Sequence, residues 1–152
     1  MEVLAAIAAF FAVYFFVANF DDLPRLIPKH FNIRGEIDAW TSKKTLLYIL
    51  PSLTVLFYVA ITMTSRSLHK YSHMFNYPGT KTPEKTKQVY LLARHVLVTV
   101  KVSVVCLLSY LSWAIVSTGL SGENQLNILI TIAFMLFSLI APIVIYSRSP
   151  VK

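Results

Sequence analysis

Four polar residues in one short segment carry side chains that can bind a ligand: His30, Asn32, Asp38 and Lys43. An imidazole and a carboxylate in one compact loop can bind a cation, a lipid headgroup or a peptide. The alternative is that Asn32 and Asp38 bond the backbone of the loop itself, and that His30 packs against Trp40. No nucleophile motif accompanies these residues, and no cofactor is predicted.

Three histidines form a second candidate group. His69 and His73 are four positions apart, which places both imidazoles on one face of a helix, and His95 is expected on the same side of the membrane. Three histidines can bind zinc. Because no cysteine, aspartate or glutamate stands near the pair, exposed histidines are the alternative, and metal binding stays open.

Basic residues are concentrated in the connections between apolar segments, and the net charge is +7. Four lysines of one connection are expected to contact anionic lipid headgroups: Lys70, Lys81, Lys85 and Lys87. In a membrane protein such a distribution reports orientation, so nucleic acid is not an expected partner.

The elements that must position these residues are membrane helices. The chain has 152 residues, of which 56% are hydrophobic and 14% charged, and the apolar residues form long blocks. The composition predicts an all-α integral membrane protein, a single domain over residues 1–152 with four transmembrane helices and a structured loop between helices 1 and 2. The predicted helices cover about residues 3–20, 45–64, 91–118 and 126–146, the motif loop residues 21–44, and a basic cytoplasmic loop residues 65–90.

Lysine and arginine counts predict the orientation of these helices. The second loop and the C-terminal tail together carry seven, against five in the first loop, so both termini are expected in the cytoplasm. Lys101 lies within the third apolar segment, and no acidic residue falls inside any of the four segments. We expect its long side chain to reach the cytoplasmic interface.

The first loop also contains residues that restrict the backbone. Pro24 and Pro28 fix φ, and Gly35 follows Asn32 at a predicted turn, where a glycine can adopt positive φ. Trp40 is expected at the level of the lipid headgroups.

The run Leu-Pro-x-x-Ile-Pro-x-His-Phe-Asn-x-x-Gly-x-x-Asp-x-Trp-x-x-Lys, from Leu23 to Lys43, resembles the N-terminal membrane domain of the SdpI-type bacterial immunity proteins. That domain also occurs alone, as a domain of unknown function. The resemblance does not extend to the C-terminal module of the full immunity proteins, which we expect this protein to lack. The resemblance implies a multi-pass protein of the bacterial cytoplasmic membrane.

Three functions follow as hypotheses. In the first, which the resemblance favours, a non-enzymatic protein uses the outer loop to protect against a membrane-active toxin peptide or to dock on another membrane protein. The site would comprise His30, Asn32, Gly35, Asp38, Trp40 and Lys43. In the second, the chain is an accessory subunit of a larger membrane complex. In the third, it is a metal-dependent membrane enzyme that uses His30 and Asp38. The lipid bilayer is an expected partner in each case, and the oligomeric state stays open.

Overall fold

The computed structural model describes residues 2–70, 82–124 and 126–148 of the chain. Its elements, in chain order, are α1 (Glu2–Ala18), β1 (Leu26–Phe31), β2 (Ile37–Ser42), α2 (Lys43–Lys70), α3 (Pro83–Ser121) and α4 (Ile128–Ser147). The predicted all-α membrane fold is confirmed. The loop between the first two helices forms a two-stranded antiparallel hairpin. The sequence predicted a structured loop here but not the two strands.

Three of the described helices are long and apolar enough to cross a membrane. These are α2 over Lys43–Leu68, α3 over Glu84–Ser121, and α4 over Ile128–Ser147. Helix α1 is equally apolar but has 17 residues. At 1.5 Å per residue it is about 26 Å long, slightly less than the roughly 30 Å of a hydrocarbon core.

Helix α3 lies at the centre of the structure, with α1, α2 and α4 packed around it. It is one continuous helix that begins at Pro83, earlier than the predicted start near residue 91. The Oγ1 atom of Thr82 accepts a hydrogen bond from the Lys85 amide, and Gly122 ends the helix with φ at 75°. These are favourable start and stop residues, so local sequence defines both ends of the helix.

Small residues bring α1 and α3 close together. Ala5 and Ala12 of α1 are fully buried, and the Ser109 hydroxyl of α3 donates a hydrogen bond to the Ala8 carbonyl oxygen at 2.7 Å. Small and hydroxyl side chains are the common means of helix contact within membranes.

The hydrophobic core extends from the helices into the hairpin. Phe16 of α1, Leu50 of α2 and Ile115 of α3 belong to one buried cluster, together with Leu23 and Ile27 at the base of the hairpin. Among the elements of the described chain, α4 contacts only α3, and none of its residues is buried. The helices therefore present an apolar surface to the bilayer, and the hairpin is packed on one end of the bundle.

Candidate functional site

The tip of the hairpin is a turn built by Asn32. Its Oδ1 accepts hydrogen bonds from the amides of Arg34 at 2.8 Å and Glu36 at 3.0 Å, and its Nδ2 donates to the Glu36 carboxylate at 2.8 Å. Gly35 has φ at 79°, a conformation that L side chains rarely adopt. Asn32 and Gly35, both predicted as site residues, therefore shape the turn.

His30 and Asp38 face each other across the two strands. The His30 Nδ1 and the Asp38 Oδ1 atoms are 2.5 Å apart, and their side chains are 65% and 43% exposed. Lys29, which has no cross-strand partner, interrupts the register beside them. Two of the site residues predicted in this loop are thus brought together, with both groups open to solvent.

Lys43 binds the turn that follows α1. Its ammonium group donates hydrogen bonds to the carbonyl oxygens of Phe20 at 2.8 Å, Asp21 at 3.3 Å and Leu23 at 2.7 Å. It also lies 4.8 Å from the centre of the Phe20 ring. These carbonyls belong to the turn between α1 and β1, and a charged donor satisfies all three of them. One side chain therefore joins the turn after α1 to the start of α2.

Two further contacts seat the hairpin on the bundle. A Cβ atom at Gly119 of α3 would approach Leu23 Cδ2 to 2.8 Å and Ile27 Cγ2 to 3.1 Å, so the hairpin base lies directly on this glycine. The Asn124 amide, in the connection after α3, donates to the Gly35 carbonyl oxygen at the hairpin tip. The hairpin is thus held at its base and at its tip.

The outer surface of the hairpin carries large apolar side chains. Ile33 is 92% exposed at the tip, and Trp40 is 52% exposed on β2. A tryptophan at this position suits either the membrane interface or a protein partner. The same surface carries the His30–Asp38 pair, so apolar and ionisable groups lie side by side.

The lysines and histidines of the second loop are described only in part. Lys85 and Lys87 are exposed on the first turns of α3, and His95 is exposed on the same helix. Lys81, His73 and the side chains of Lys70 and His69 lie outside the described residues. Within residues 2–70, 82–124 and 126–148, no three histidines, cysteines or acidic residues are grouped closely enough to hold a metal ion.

At the end of the bundle opposite the hairpin, Lys101 differs from the expectation. Its side chain is fully buried, and its ammonium donates hydrogen bonds to the Glu2 carboxylate and, at 3.2 Å, to Thr62 Oγ1. It lies 5.1 Å from the centre of the Tyr58 ring. Glu2 precedes the first apolar segment in the sequence, and the packing of α1 beside α3 brings the two residues together. The Lys101 ammonium, expected to reach the cytoplasmic interface, is thus buried and paired within the protein.

A cavity of about 510 Å³ opens beside this ion pair. Three elements, α1, α2 and α3, line it, and we call it the arginine cavity. Its lining includes Glu2, Tyr58, Thr62, Ser65, Arg66 and Arg94. The hydroxyl of Ser65 is buried without a hydrogen-bond partner in the described part of the chain. Sequence reasoning missed this site because its residues come from three separate segments.

Fold and sites together define a helical membrane protein with a hairpin at one end and a cavity lined by two arginines at the other. The chain matches the model of a family described as a domain of unknown function (DUF1648) over residues 6–55. The match covers most of α1, the hairpin and the first half of α2, and so includes His30, Asp38 and Lys43. Neither the curated proteins nor the solved structures contain a match to the chain.

Proposed function

We propose that this is a non-enzymatic protein of the bacterial cytoplasmic membrane, whose outer hairpin recognises a membrane-active peptide and protects the cell against it. The observation that carries the proposal is the exposed His30–Asp38 pair, at 2.5 Å, on a hairpin that the bundle holds at its base and its tip. The resemblance of residues 23–43 to the SdpI-type immunity proteins supports the same function.

The residues that hold the hairpin in place differ from those that are exposed on it, and this difference supports recognition. A two-stranded hairpin alone is marginally stable in water, so the anchors Lys43 and Gly119 supply the rigidity. A rigid surface loses little conformational entropy when a partner binds. His30 and Asp38 contribute little to that rigidity, since an exposed ion pair stabilises a protein by about 0–1 kcal/mol. They are free to exchange their mutual contact for a contact with a peptide.

The proposal is tested in a peptide-sensitive bacterium that makes the protein. Cells are challenged with a panel of synthetic membrane-active peptides, and membrane depolarisation and growth are recorded. His30→Ala and Asp38→Ala are expected to abolish protection while the protein stays folded in the membrane. Lys29→Ala, an exposed neighbour on β1, is the control and should retain protection. Protection that survives both substitutions would contradict the proposal.

Two related measurements test the alternative functions, an accessory subunit and a metal-dependent enzyme. A membrane protein that copurifies stoichiometrically, and is lost in His30→Ala but not in Lys29→Ala, would favour an accessory subunit. Stoichiometric zinc or iron in the purified protein, lost in His30→Ala, would favour a metal-dependent enzyme. Either result would replace the immunity function.

The orientation is part of the proposal, with the hairpin outside and both termini in the cytoplasm. Arg34 is exposed at the hairpin tip, so Arg34→Cys in a Cys106→Ala background gives a single reporter thiol. We expect it to react with a membrane-impermeant thiol reagent in intact cells. A thiol that reacts only after the cells are lysed would place the hairpin inside.

A further inference from the structure

The arginine cavity contains more positive charge than the protein itself neutralises. Glu2 is already paired with Lys101. Arg66 and Arg94 form no ion pair with any residue of the described chain, and all seven acidic residues of the sequence lie in that part. Apart from Glu2, only Glu84 lies at this end, on the exposed first turn of α3. Two guanidinium groups therefore line one cavity without a carboxylate of their own.

The depth of the cavity matches that of lipid phosphates. The segment from Lys101 to Ser121 has a rise of about 30 Å at 1.5 Å per residue, which is the thickness of the hydrocarbon core. Arg94 is two turns further out, about 10 Å beyond Lys101 along the same helix. Arg66 lines the same cavity from α2. Both arginines thus lie where headgroups meet water.

The volume and the lining residues of the cavity suit a ligand that joins a phosphoryl group to a small polar moiety. Guanidinium groups bind phosphate oxygens through paired hydrogen bonds. The buried Ser65 hydroxyl lacks a partner in the described chain and can donate a further bond. A volume of about 510 Å³ is larger than a phosphate ion needs and lies within the range of small-molecule sites.

We propose that the arginine cavity binds the phosphoryl group of an anionic ligand between Arg66 and Arg94. The ligand is either the headgroup of an acidic phospholipid of the adjacent leaflet or a soluble phosphate ester. This site lies at the end opposite the hairpin, so it goes beyond the function proposed above, and failure of one does not entail failure of the other. Lys101 remains neutralised by Glu2 while the ligand is bound.

The test measures lipid binding to the full-length protein in phosphatidylcholine nanodiscs. Phosphatidylglycerol is titrated into the wild type, into the Arg66→Gln/Arg94→Gln double variant, and into a Lys29→Gln/Lys44→Gln control that removes the same charge from exposed positions at the hairpin end. We expect the double arginine variant to bind phosphatidylglycerol at least about tenfold more weakly, because each lost guanidinium removes charge-assisted hydrogen bonds. The lysine control should change by about twofold or less, since its charges lie outside the cavity and salt screens their attraction to the lipid. Equal weakening in both variants, or none in the arginine variant, would overturn the proposal.

Glu2→Gln provides an independent test should the double variant fail to fold. It removes a negative charge that lines the cavity, so phosphatidylglycerol should bind more tightly than in the wild type. Unchanged or weaker binding to a folded Glu2→Gln protein would count against the site. A competition experiment with glycerol 3-phosphate identifies the source of the ligand. Displacement of the lipid by glycerol 3-phosphate indicates a soluble phosphate ester, whereas no displacement indicates the lipid headgroup.

Discussion

The two ends of the bundle use their polar residues in opposite ways. At the hairpin end, Lys43, Asn32 and Asn124 bond the protein's own backbone, and they hold a small sheet in place. At the other end, Lys101 is buried against Glu2, while Arg66 and Arg94 have no acidic partner in the described chain. Polar groups that bond the backbone stabilise the fold, whereas charged groups without an acidic partner can bind an anionic ligand. In the functions that we propose, the hairpin end recognises a partner through a few exposed groups, and the cavity end binds a ligand through charge.

The largest loss of stability is expected when the Lys43 side chain is removed. Lys43→Met leaves three carbonyl oxygens in the turn after α1 without their donor, and hydrogen bonds to charged groups contribute about 1.5–3 kcal/mol each. Because the site is only partly buried and water can replace some of these bonds, we expect a loss of about 3 kcal/mol in the free energy of unfolding. Denaturant titration of the purified protein measures it.

Lys44→Met is the matched control, because Lys44 is exposed at the next position. It should leave the free energy of unfolding nearly unchanged. Equal losses in the two variants would show that the lysine charge alone matters, and would remove the contrast between the two ends.

The second effect concerns the buried pair at the opposite end. Glu2→Gln leaves the Lys101 ammonium buried without its carboxylate, which costs about 3–5 kcal/mol in fully buried pairs. Since Glu2 is half-exposed, we expect about 2 kcal/mol here. Denaturant titration should show that Lys101→Met, which removes the buried charge itself, restores the stability of the Glu2→Gln protein.

The decisive comparison is between Glu2→Gln and the Glu2→Gln/Lys101→Met double variant. If the double variant is no more stable than Glu2→Gln, the ammonium is not a buried charge that needs Glu2. Glu84→Gln, at the exposed start of α3, is the control and should have little effect.

The third effect tests the seat of the hairpin. Gly119→Val places a branched side chain against Leu23 and Ile27, and overpacking of this kind costs about 1–3 kcal/mol. Leu120→Val changes the adjacent, exposed position and should cost less. Denaturant titration of both proteins checks the difference. If Gly119→Val is as stable as the wild type, the hairpin does not rest on α3 as described.

The smallest expected effect on stability belongs to the residues that we propose for recognition. His30→Ala removes an exposed pair and should change the free energy of unfolding by at most about 1 kcal/mol. The thermal midpoint of the purified variant tests this directly. A loss as large as that of Lys43→Met would mean that the pair stabilises the fold rather than belonging to the recognition surface.

The sequence predicted the class of fold and some local features, because these depend on nearby residues. Long apolar blocks indicate membrane helices, and the turn at Asn32 and Gly35 follows from their backbone preferences. The hairpin was missed because Pro28 interrupts the usual strand pattern. The pairing of Glu2 with Lys101 could not be predicted, since 99 positions separate the two residues and only helix packing joins them.

The central claim is that the bundle holds the hairpin rigid while its exposed pair stays available to a partner. Amide hydrogen exchange in reconstituted protein tests it without any ligand. In the wild type, we expect protection at Asn32, whose amide donates to the Glu36 carbonyl, and at Lys43, whose amide donates to the Arg25 carbonyl. Protection at Asn32 should persist in His30→Ala and fall sharply in Lys43→Met. A wild-type hairpin that exchanges as fast as an unstructured peptide would contradict the account.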